Sequence, residues 1–545
     1  MRKFFLTATL AILATVLAYP CTNLLVGRLA STDGSTIVSY SADSYDLYGV
    51  LLHRPAGQHA PGTMITVHEW INNTYRGQIP QVAQTYNVIG NMNEHQLTIA
   101  ESTFGGREEL RNTEGQLDYG NAIWLTLQRT KTAREAITTL TNLLNTYGYN
   151  RSGESISIAD PNEVWVLELI GKGPDRKGVV WVAVRIPDDA VSAHANQARI
   201  HQFPLNDPEK AMYSPDVISF AREKGYFDGR DEDFSFTKAY SPAGFRERRF
   251  CEARVWSFFN RISSGMDKHL PYIFGESDTP MPLYVIPDRK LSVQDIQRYM
   301  RDLYEDTPFD WRFDITAGPF NSPYRWAPLN YEVDGVDYFN ERPIATQQSG
   351  WVFVAQMRSW LPGPIGGVIW WGVDDATGTV FYPFYGGHTE VPHEMAEGNG
   401  DLLTFSWTSA FWMHNWVMNQ VYNRWSDMIV DVRRVQSKLE DSFFAAQPEI
   451  EKKALALYEN SPEEAVTFLT QYTNNLVKDG VQEWKRLGEF LLIKYLDGTI
   501  KQEENGVFLR NEKGVHAPVN RAGYPKEWSR KVLPITGDRY RIPVK

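Results

Sequence analysis

The chain has 545 residues, a formal net charge of −11 at pH 7 and 42% hydrophobic residues. The length suffices for two or three domains or for one enlarged domain, and the composition is ordinary for a globular protein. The negative charge argues against nucleic acid and against an anionic membrane surface as partners. Two cysteines in so long a chain exclude a disulfide scaffold, and 17 Trp and 27 Tyr suit a packed enzyme or a carbohydrate-binding surface.

An export signal is predicted over residues 1–18. Met1 to Lys3 is a short basic region, and the apolar run that follows ends at Ala18 with the small-residue pattern of a signal-peptidase site. The run is shorter than a typical transmembrane helix, and no later apolar stretch approaches 18 residues. We therefore expect an exported protein, periplasmic or extracellular, that makes no membrane contact after signal removal.

Cys21 follows this segment and is one of two cysteines, with Cys251. A cysteine at a new amino terminus can be a nucleophile whose base is its own α-amine. Position alone leaves open a lipoprotein anchor, a disulfide with Cys251 and a small buried apolar residue. The anchor is disfavoured because Tyr19 and Pro20 replace the small residues that lipid attachment needs. Cleavage after Ala18 would leave residues 19–20 as a short pro-segment, which a second step would remove.

Strand and helix patterns alternate along the first half of the chain. Cys21 to Arg28 and Ser35 to Ser41 predict a β-hairpin, because Asp33-Gly34 between them favours a tight turn. Thr132 to Glu135 has the capping-box pattern of a helix start, and that helix is predicted to end near Gly148. The remaining patterns predict a helix over Asn121 to Arg129 and strands over Val82 to Met92, Gln96 to Ala100, Ser155 to Ala159, Glu163 to Leu169 and Gly178 to Arg185.

The second half combines strands with a largely helical end. A basic, aromatic helix from Phe245 to Ile262 contains Arg249, Cys251 and Arg254. Other helices are predicted over Ser292 to Glu305, Trp407 to Trp425, Met428 to Phe444, Glu449 to Glu459, Pro462 to Lys478 and Val481 to Tyr495. Strands are predicted over Val352 to Ser359, Gly367 to Val373 and Thr379 to Phe384. These elements indicate an α+β fold, with one unit over 21–400, a helical part over 401–500 packed on it, and a polar extension over 501–545.

Motifs for metal, phosphate and serine chemistry are missing or poorly formed. The sequence has no Gly-rich phosphate loop, nucleophile-elbow serine or paired-cysteine zinc spacing. His388 to Glu394 is a ligand-rich cluster, but Pro392 would disturb the helix that could place both of its histidines on one face. We therefore expect neither a metal nor a cofactor.

Four sequence blocks share their order and spacing with a known enzyme family. The blocks are Cys21 to Asn23 with Asp33 to Thr36 and Ser41 to Ser44, then Trp181 to Asp189 through Asn196, then Met357 to Pro362, then Ile365 to Trp371. Together they resemble the dipeptidase A family of cysteine peptidases, relatives of the secernins within the N-terminal nucleophile hydrolases. The resemblance runs from Cys21 to roughly Arg434.

The resemblance implies a fold and a set of site residues. The family fold is a four-layer αββα sandwich with the nucleophile at the free end of a central strand. By analogy with the wider relatives penicillin V acylase and bile salt hydrolase, Asp43 matches the aspartate near the nucleophile and Asn196 the oxyanion asparagine. Glu101 or Ser102 falls where a further polar site residue is expected.

One position departs from the pattern of those wider relatives. They carry an arginine shortly before the aspartate, and here Tyr40 and Ser41 occupy that place. The role of this arginine is therefore absent here or passes to Arg249 or Arg254 in the basic helix.

The implied function is hydrolysis of dipeptides and short peptides through an N-terminal cysteine and a thioester acyl-enzyme. Small peptides are the expected partners, and the oligomeric state, including a homo-oligomer, stays open. Two alternatives remain, namely an N-acyl amide hydrolase with the same apparatus and a non-catalytic secreted binding protein on the same scaffold.

Overall fold

The computed structural model describes residues 21–544. The predicted signal segment 1–18 and pro-segment 19–20 lie outside the described residues. Within them the chain is mixed α+β, with two large antiparallel sheets followed by long helices. This agrees with the predicted fold class.

The first large sheet has seven strands and carries the amino-terminal strand near its middle. In spatial order they are β16 (Tyr284–Val285), β14 (Val191–His194), β1 (Thr22–Val26), β2 (Thr36–Asp43), β19 (Ser349–Met357), β20 (Val368–Val373) and β21 (Tyr382–Tyr385). The hairpin predicted at Asp33-Gly34 is confirmed, since β1 and β2 pair antiparallel on either side of it. Gly34 has a φ of +89°, which favours glycine at this turn.

The second large sheet has eight strands. In spatial order they are β15 (Ala211–Tyr213), β13 (Val179–Ile186), β12 (Val164–Gly171), β11 (Gly153–Ala159), β10 (Thr98–Phe104), β9 (Met92–Asn93), β8 (Val88–Ile89) and β3 (His53–Arg54). The three strands predicted between Ser155 and Arg185 are confirmed. The single strand predicted over Val82 to Met92 is wrong, because the chain turns at Gly90, whose φ is +53°.

Four two-stranded ribbons complete the β structure of the described chain. They are β4 (Gly57–Gln58) with β7 (Gln84–Thr85), β5 (Met64–His68) with β6 (Tyr75–Pro80), β17 (Asn330–Val333) with β18 (Val336–Phe339), and β22 (Glu503–Glu504) with β23 (Val507–Phe508).

Between residues 21 and 400 the structure has nine α-helices. They are α1 (Tyr119–Leu127), α2 (Ala133–Tyr147), α3 (Val217–Glu223), α4 (Phe236–Tyr240), α5 (Phe245–Glu247), α6 (Ala253–Ile262), α7 (Leu270–Ile273), α8 (Val293–Met300) and α9 (Gly363–Gly366). The capping box predicted at Thr132 is confirmed at the start of α2. The predicted helix over Phe245 to Ile262 is interrupted by a π turn at Arg248–Glu252.

The two large sheets face each other, and helices contact their other faces. β1 and β2 contact β10, α1 and α2 contact the eight-stranded sheet, and α6 and α8 contact the seven-stranded sheet. Side-chain alternation along β12 sorts residues into two cores, because successive side chains point to opposite faces. Val164 and Val166 belong to the large core shared by both sheets, whereas Trp165 and Leu167 pack in a second core with α1 and α2.

The carboxyl-terminal part is helical, but with fewer breaks than predicted. Its helices are α10 (Ala410–Val421), α11 (Trp425–Tyr458), α12 (Pro462–Lys494) and α13 (Lys526–Thr536). The break predicted before Glu449 is wrong, because α11 continues through Pro448 while it packs along α12. No helix within residues 21–544 has both the length and the apolarity to cross a membrane.

The break predicted near Gly480 is also wrong, because this glycine serves a close contact inside α12. A Cβ atom at position 480 would lie 2.2 Å from the Tyr382 hydroxyl oxygen and 2.7 Å from its ring. The absence of a side chain therefore lets α12 approach β21 closely.

Gly480→Ala should destabilise the fold, although alanine is the better helix former by about 1 kcal/mol. Forcing a methyl group against a buried ring costs about 1–3 kcal/mol, which outweighs the propensity gain. We expect a lower midpoint in urea unfolding followed by circular dichroism. Asp479→Ala, at the exposed neighbouring position, is the control and should leave the midpoint unchanged or raise it. A Gly480→Ala protein at least as stable as the parent would contradict the close-contact explanation.

Candidate active site

Cys21 lies immediately before β1 and is buried, with 2% of its surface exposed. The register pairs Asn23 with His194 on β14 and with Tyr40 on β2. Continuing the first ladder by two residues places Cys21 opposite Asn196. Side chains two residues apart share one face of a strand, so Cys21 and Asn23 point the same way. That face is directed toward β10, where the Asn23 amide donates to the Glu101 carbonyl oxygen at 2.6 Å.

The Cys21 thiol, the Tyr40 phenol and the Glu101 carboxyl form a buried triangle. Cys21 Sγ lies 3.6 Å from Tyr40 Oη and 3.6 Å from Glu101 Oε1. The Tyr40 hydroxyl donates to the same Glu101 oxygen at 2.6 Å. The structure thus brings together three residues that were predicted as site candidates. Cys21 and Cys251 are both free thiols, which excludes the disulfide alternative.

Glu101 has a second buried carboxyl beside it, that of Glu154 on β11. Burial raises the pKa of both groups, and the charge on Glu101 raises that of Glu154 further. Glu154 Oε1 accepts hydrogen bonds from Tyr149 Oη at 2.7 Å and from Thr103 Oγ1 at 2.8 Å. Two neighbouring carboxylates in a buried site cannot both ionise near neutral pH, so we interpret them as a pair that shares one proton.

The electrostatic surroundings of Cys21 favour the neutral thiol. Burial raises the pKa of Cys21 well above its ordinary value, and the carboxylates of Glu101 and Asp43 raise it further. Hydrogen bonds with the Asp43 backbone N–H and with the Tyr40 hydroxyl lower the pKa of Cys21 and oppose this effect only in part. Reactive cysteines usually have a lowered pKa, so this thiol needs a base to remove its proton before it can attack.

Asp43 lies at the end of β2 with its carboxylate fully buried and bonded. It forms an ion pair with Arg342 and accepts hydrogen bonds from Ser349 Oγ at 2.5 Å and from Ser41 Oγ at 2.8 Å. Arg342 has no local sequence signal, because it is far from Asp43 in the chain and precedes β19 in a loop. Sequence reasoning therefore missed it.

Asn196 follows β14 in a left-handed conformation with a φ of 64°. Asparagine tolerates this region better than most residues, because its short polar side chain bonds locally. Its amide nitrogen Nδ2 donates to the Thr103 carbonyl at 2.7 Å, and its backbone N–H donates to Ser102 Oγ at 3.2 Å. Ser102 also bonds His194 Nδ1 at 2.7 Å. Ser102 therefore supports the Asn196 turn and does not contact the thiol.

Arg254 links Cys21 to Asn196. Its side chain is 1% exposed and donates to the Cys21 carbonyl at 2.7 Å and to Asn196 Oδ1 at 3.0 Å. It also donates to Thr22 Oγ1 at 2.8 Å and to the Ala195 carbonyl at 3.0 Å. Burial lowers the pKa of Arg254 to about 10, so the guanidinium remains charged at neutral pH.

Arg249 belongs to a different cluster. It lies in the π turn, where its guanidinium pairs with Glu341 and lies over the rings of Phe245, Phe274, Phe309 and Phe339. No contact links it to the Cys21 thiol within the described residues. The structure thus brings Arg254, and not Arg249, to the predicted site.

A pocket of about 350 Å³ opens beside Tyr40 and Glu101, the two side chains that contact the thiol. Small-molecule pockets span about 300–1,000 Å³, so this one suits a small ligand. Its aromatic wall includes Trp70, Tyr119, Trp124, Trp351 and Trp371, and its charged lining residues are Asp46, Arg54, Glu101 and Glu397. Sequence reasoning did not identify these tryptophans or Arg54, because they come from a loop, from helix α1 and from separate strands.

Relatives of the chain cover most of its length. The model of the family described as Peptidase family C69 matches residues 20–59 and 47–438. A probable dipeptidase of Latilactobacillus sakei is 23% identical over 506 residues, 87% of this chain and 97% of that protein. A probable dipeptidase of Salmonella dublin is 26% identical over 410 residues, 71% of this chain and 85% of that protein. Dipeptidase A of Lactobacillus helveticus is 25% identical over 460 residues, 80% of this chain and 86% of that protein. These matches confirm the resemblance to the dipeptidase A family.

Glu101→Gln should lower the pKa of the Cys21 thiol, because it removes a buried negative charge that raises this pKa. In a Cys251→Ser background, alkylation of the remaining thiol by iodoacetamide should reach half of its maximal rate at a lower pH than in the parent. A shift of one pH unit corresponds to about 1.4 kcal/mol. The measurement is mass spectrometry of samples quenched at set times between about pH 6 and 11.

Glu154→Gln is the matched control, since it makes the same change at the carboxyl that does not contact the thiol. Glutamine at position 154 is neutral and can still donate a hydrogen bond to Glu101, as the protonated Glu154 does, so the charge on Glu101 is kept. The midpoint for Cys21 should therefore stay or rise. Equal downward shifts in both variants, or no shift in Glu101→Gln, would count against this electrostatic account.

Proposed function

Because the chain belongs to peptidase family C69, we propose that it is an exported dipeptidase that uses Cys21 as an amino-terminal nucleophile. The observation that carries the proposal is the arrangement around Arg254. One buried guanidinium binds both the Cys21 carbonyl and the Asn196 side chain. The Cys21 thiol in turn contacts Tyr40 and Glu101, which line a pocket that suits a small ligand. The relatives named as dipeptidases support dipeptides as the substrate class.

We further propose that the fold is the four-layer αββα sandwich of the N-terminal nucleophile hydrolases. Two antiparallel sheets that contact each other through β1, β2 and β10, with helices against their outer faces, support this. The position of Cys21 before the first strand agrees with the same architecture, because removal of residues 1–20 would make it the amino terminus.

The proposed first step is proton transfer from the thiol to the α-amine of Cys21. An α-amine has a pKa of about 8, so it can accept a proton near neutral pH. The carboxylates of Glu101 and Asp43 raise the pKa of the thiol, and the same negative charges stabilise an ammonium group nearby. The sulfur then attacks the peptide carbonyl carbon, and the carbonyl oxygen becomes an oxyanion.

The Asn196 amide is the proposed donor to that oxyanion. Loss of one such donor typically raises the barrier by about 2.7–4 kcal/mol. The ammonium next protonates the departing amino group as the C–N bond breaks, and the acyl group stays on sulfur as a thioester. Water attacks the thioester, which releases the amino-terminal product and returns the proton to sulfur. Arg254 holds Cys21 and Asn196 in fixed relation throughout.

An N-acyl amide hydrolase is the second candidate, and the aromatic wall of the pocket favours it. Trp70, Trp124, Trp351 and Trp371 could pack against an acyl chain as well as against a peptide side chain. Parallel assays with unblocked dipeptides and with N-acyl amino acids separate the two candidates, since an acylase needs no free amino group on its substrate.

Cys21→Ala should abolish dipeptide hydrolysis and leave the fold intact. The reason is that no other described side chain supplies a nucleophile beside Tyr40 and Glu101. Release of free amino acids from a panel of dipeptides, followed by chromatography, measures the loss. Cys251→Ser is the control at the other free thiol and should keep most of the activity. More than a few per cent of parental rate in Cys21→Ala would refute the proposed mechanism.

The active protein should begin at Cys21. The proposed base is the α-amine of this residue, so residues 19–20 must be removed after signal cleavage. Intact-mass spectrometry of enzyme purified from the exported fraction identifies the amino terminus directly. Full activity in a protein that still carries Tyr19 would show that Cys21 does not use its own amine.

A further inference from the structure

Arg54, at the end of β3, presents a guanidinium to the pocket. Its Cζ atom lies 4.1 Å from the centroid of the Trp124 ring, so the planar group stacks on the indole. Among the charged side chains that line the pocket, Arg54 is the permanent cation, alongside the carboxyl groups of Asp46, Glu101 and Glu397. The stacked face is covered, which leaves the N–H edges to act as donors.

Among the residues that the structure describes, the Arg54 side chain contacts the Trp124 ring but forms neither a hydrogen bond nor an ion pair. Burial lowers its pKa, and the charge of Glu397 raises it from a greater distance. The guanidinium is half-buried, but its nitrogen atoms keep contact with solvent, so its N–H donors are available to a ligand in the pocket. Such a group is typical of a binding site for an anion that is present only with the ligand.

Carboxylates match the fork geometry of arginine and bind it through two parallel hydrogen bonds. A dipeptide has one main-chain carboxylate, and it lies one residue beyond the scissile bond. In a longer peptide the same position carries a neutral amide. A cation held at a fixed place in the pocket would therefore select substrates by length.

We propose that Arg54 binds the carboxyl-terminal carboxylate of the dipeptide, with Trp124 as the surface that fixes its orientation. This inference rests on the proposed dipeptidase function and deepens it. The scissile carbonyl then lies toward Tyr40 and Glu101, and the side chain of the second residue packs on the aromatic wall. Arg54 sets the length of the substrate and takes no part in the chemical step.

The test compares leucyl-leucine with leucyl-leucine amide, which lacks the terminal charge. Arg54→Met keeps the unbranched stem and removes the guanidinium. We expect KM for leucyl-leucine to rise about 10- to 100-fold in Arg54→Met with kcat little changed, and the kinetics of the amide to change by less than threefold. Arg54→Lys keeps the charge without the fork and should fall between parent and Arg54→Met. The thermal unfolding midpoint of each variant reports whether the fold is kept.

Two further variants distinguish binding of the substrate carboxylate by Arg54 from a role of Arg54 as the counter-charge of Glu397. Arg129→Met is the matched control, since Arg129 is also half-buried with its pKa lowered by burial but lies outside the pocket lining. It should leave KM for leucyl-leucine unchanged. Glu397→Gln removes a charge that competes with the substrate carboxylate for Arg54, so it should lower KM. If Arg54 served only as a partner of Glu397, Glu397→Gln and Arg54→Met would change KM in the same direction.

Binding to the Cys21→Ala protein, measured by calorimetry, decides the inference even if the enzyme does not hydrolyse dipeptides. Tighter binding of leucyl-leucine than of its amide, with the difference lost in Cys21→Ala/Arg54→Met, would support the carboxylate site. Equal binding of the two compounds, or an equal loss for both in the double variant, would overturn it. Failure of hydrolysis alone would count against the proposed function and not against this site.

Discussion

The candidate site depends on one buried cation. Arg254 donates to the Cys21 carbonyl, to Asn196 Oδ1 and to three further acceptors. These bonds join the start of β1 to the end of β14 and fix the distance between the thiol and the Asn196 amide. Removal of one partner from such a buried charged network typically costs about 3–5 kcal/mol, because the remaining charge stays buried without compensation. The position of the nucleophile is therefore coupled to the stability of the sheet.

The same region shows a second constraint, which is an excess of buried negative charge around a neutral thiol. Glu101 and Glu154 share one proton in our interpretation, and Asp43 is neutralised locally by Arg342. A thiol in these surroundings resists ionisation, and thus resists alkylation and oxidation, until a base and a substrate are in place. The surroundings of Cys21 therefore favour reaction with a bound substrate over reaction with other electrophiles or oxidants.

Local sequence signals predicted the elements that depend on neighbours in the chain. The hairpin at Asp33-Gly34 and the capping box at Thr132 are such cases, since a few adjacent residues determine them. The helix breaks were wrong at Pro448 and Gly480, because packing between long helices and β21 overrides local propensity. Arg54 and Arg342 could not be found, since each acquires its role only from partners distant in sequence.

The pocket and the thiol are linked by charge as well as by position. Negative charge at Glu101 raises the pKa of Cys21, so a positive charge brought beside Glu101 must lower it by the same Coulomb interaction. Under the proposed function, the α-ammonium of a dipeptide is such a charge, and Arg54 draws the opposite end of the molecule away from the thiol. A substrate with both charges would then lower the pKa of the Cys21 thiol that attacks it. A peptide with a blocked amino group would not. Recognition of two free termini and activation of the thiol thus follow from one distribution of charge.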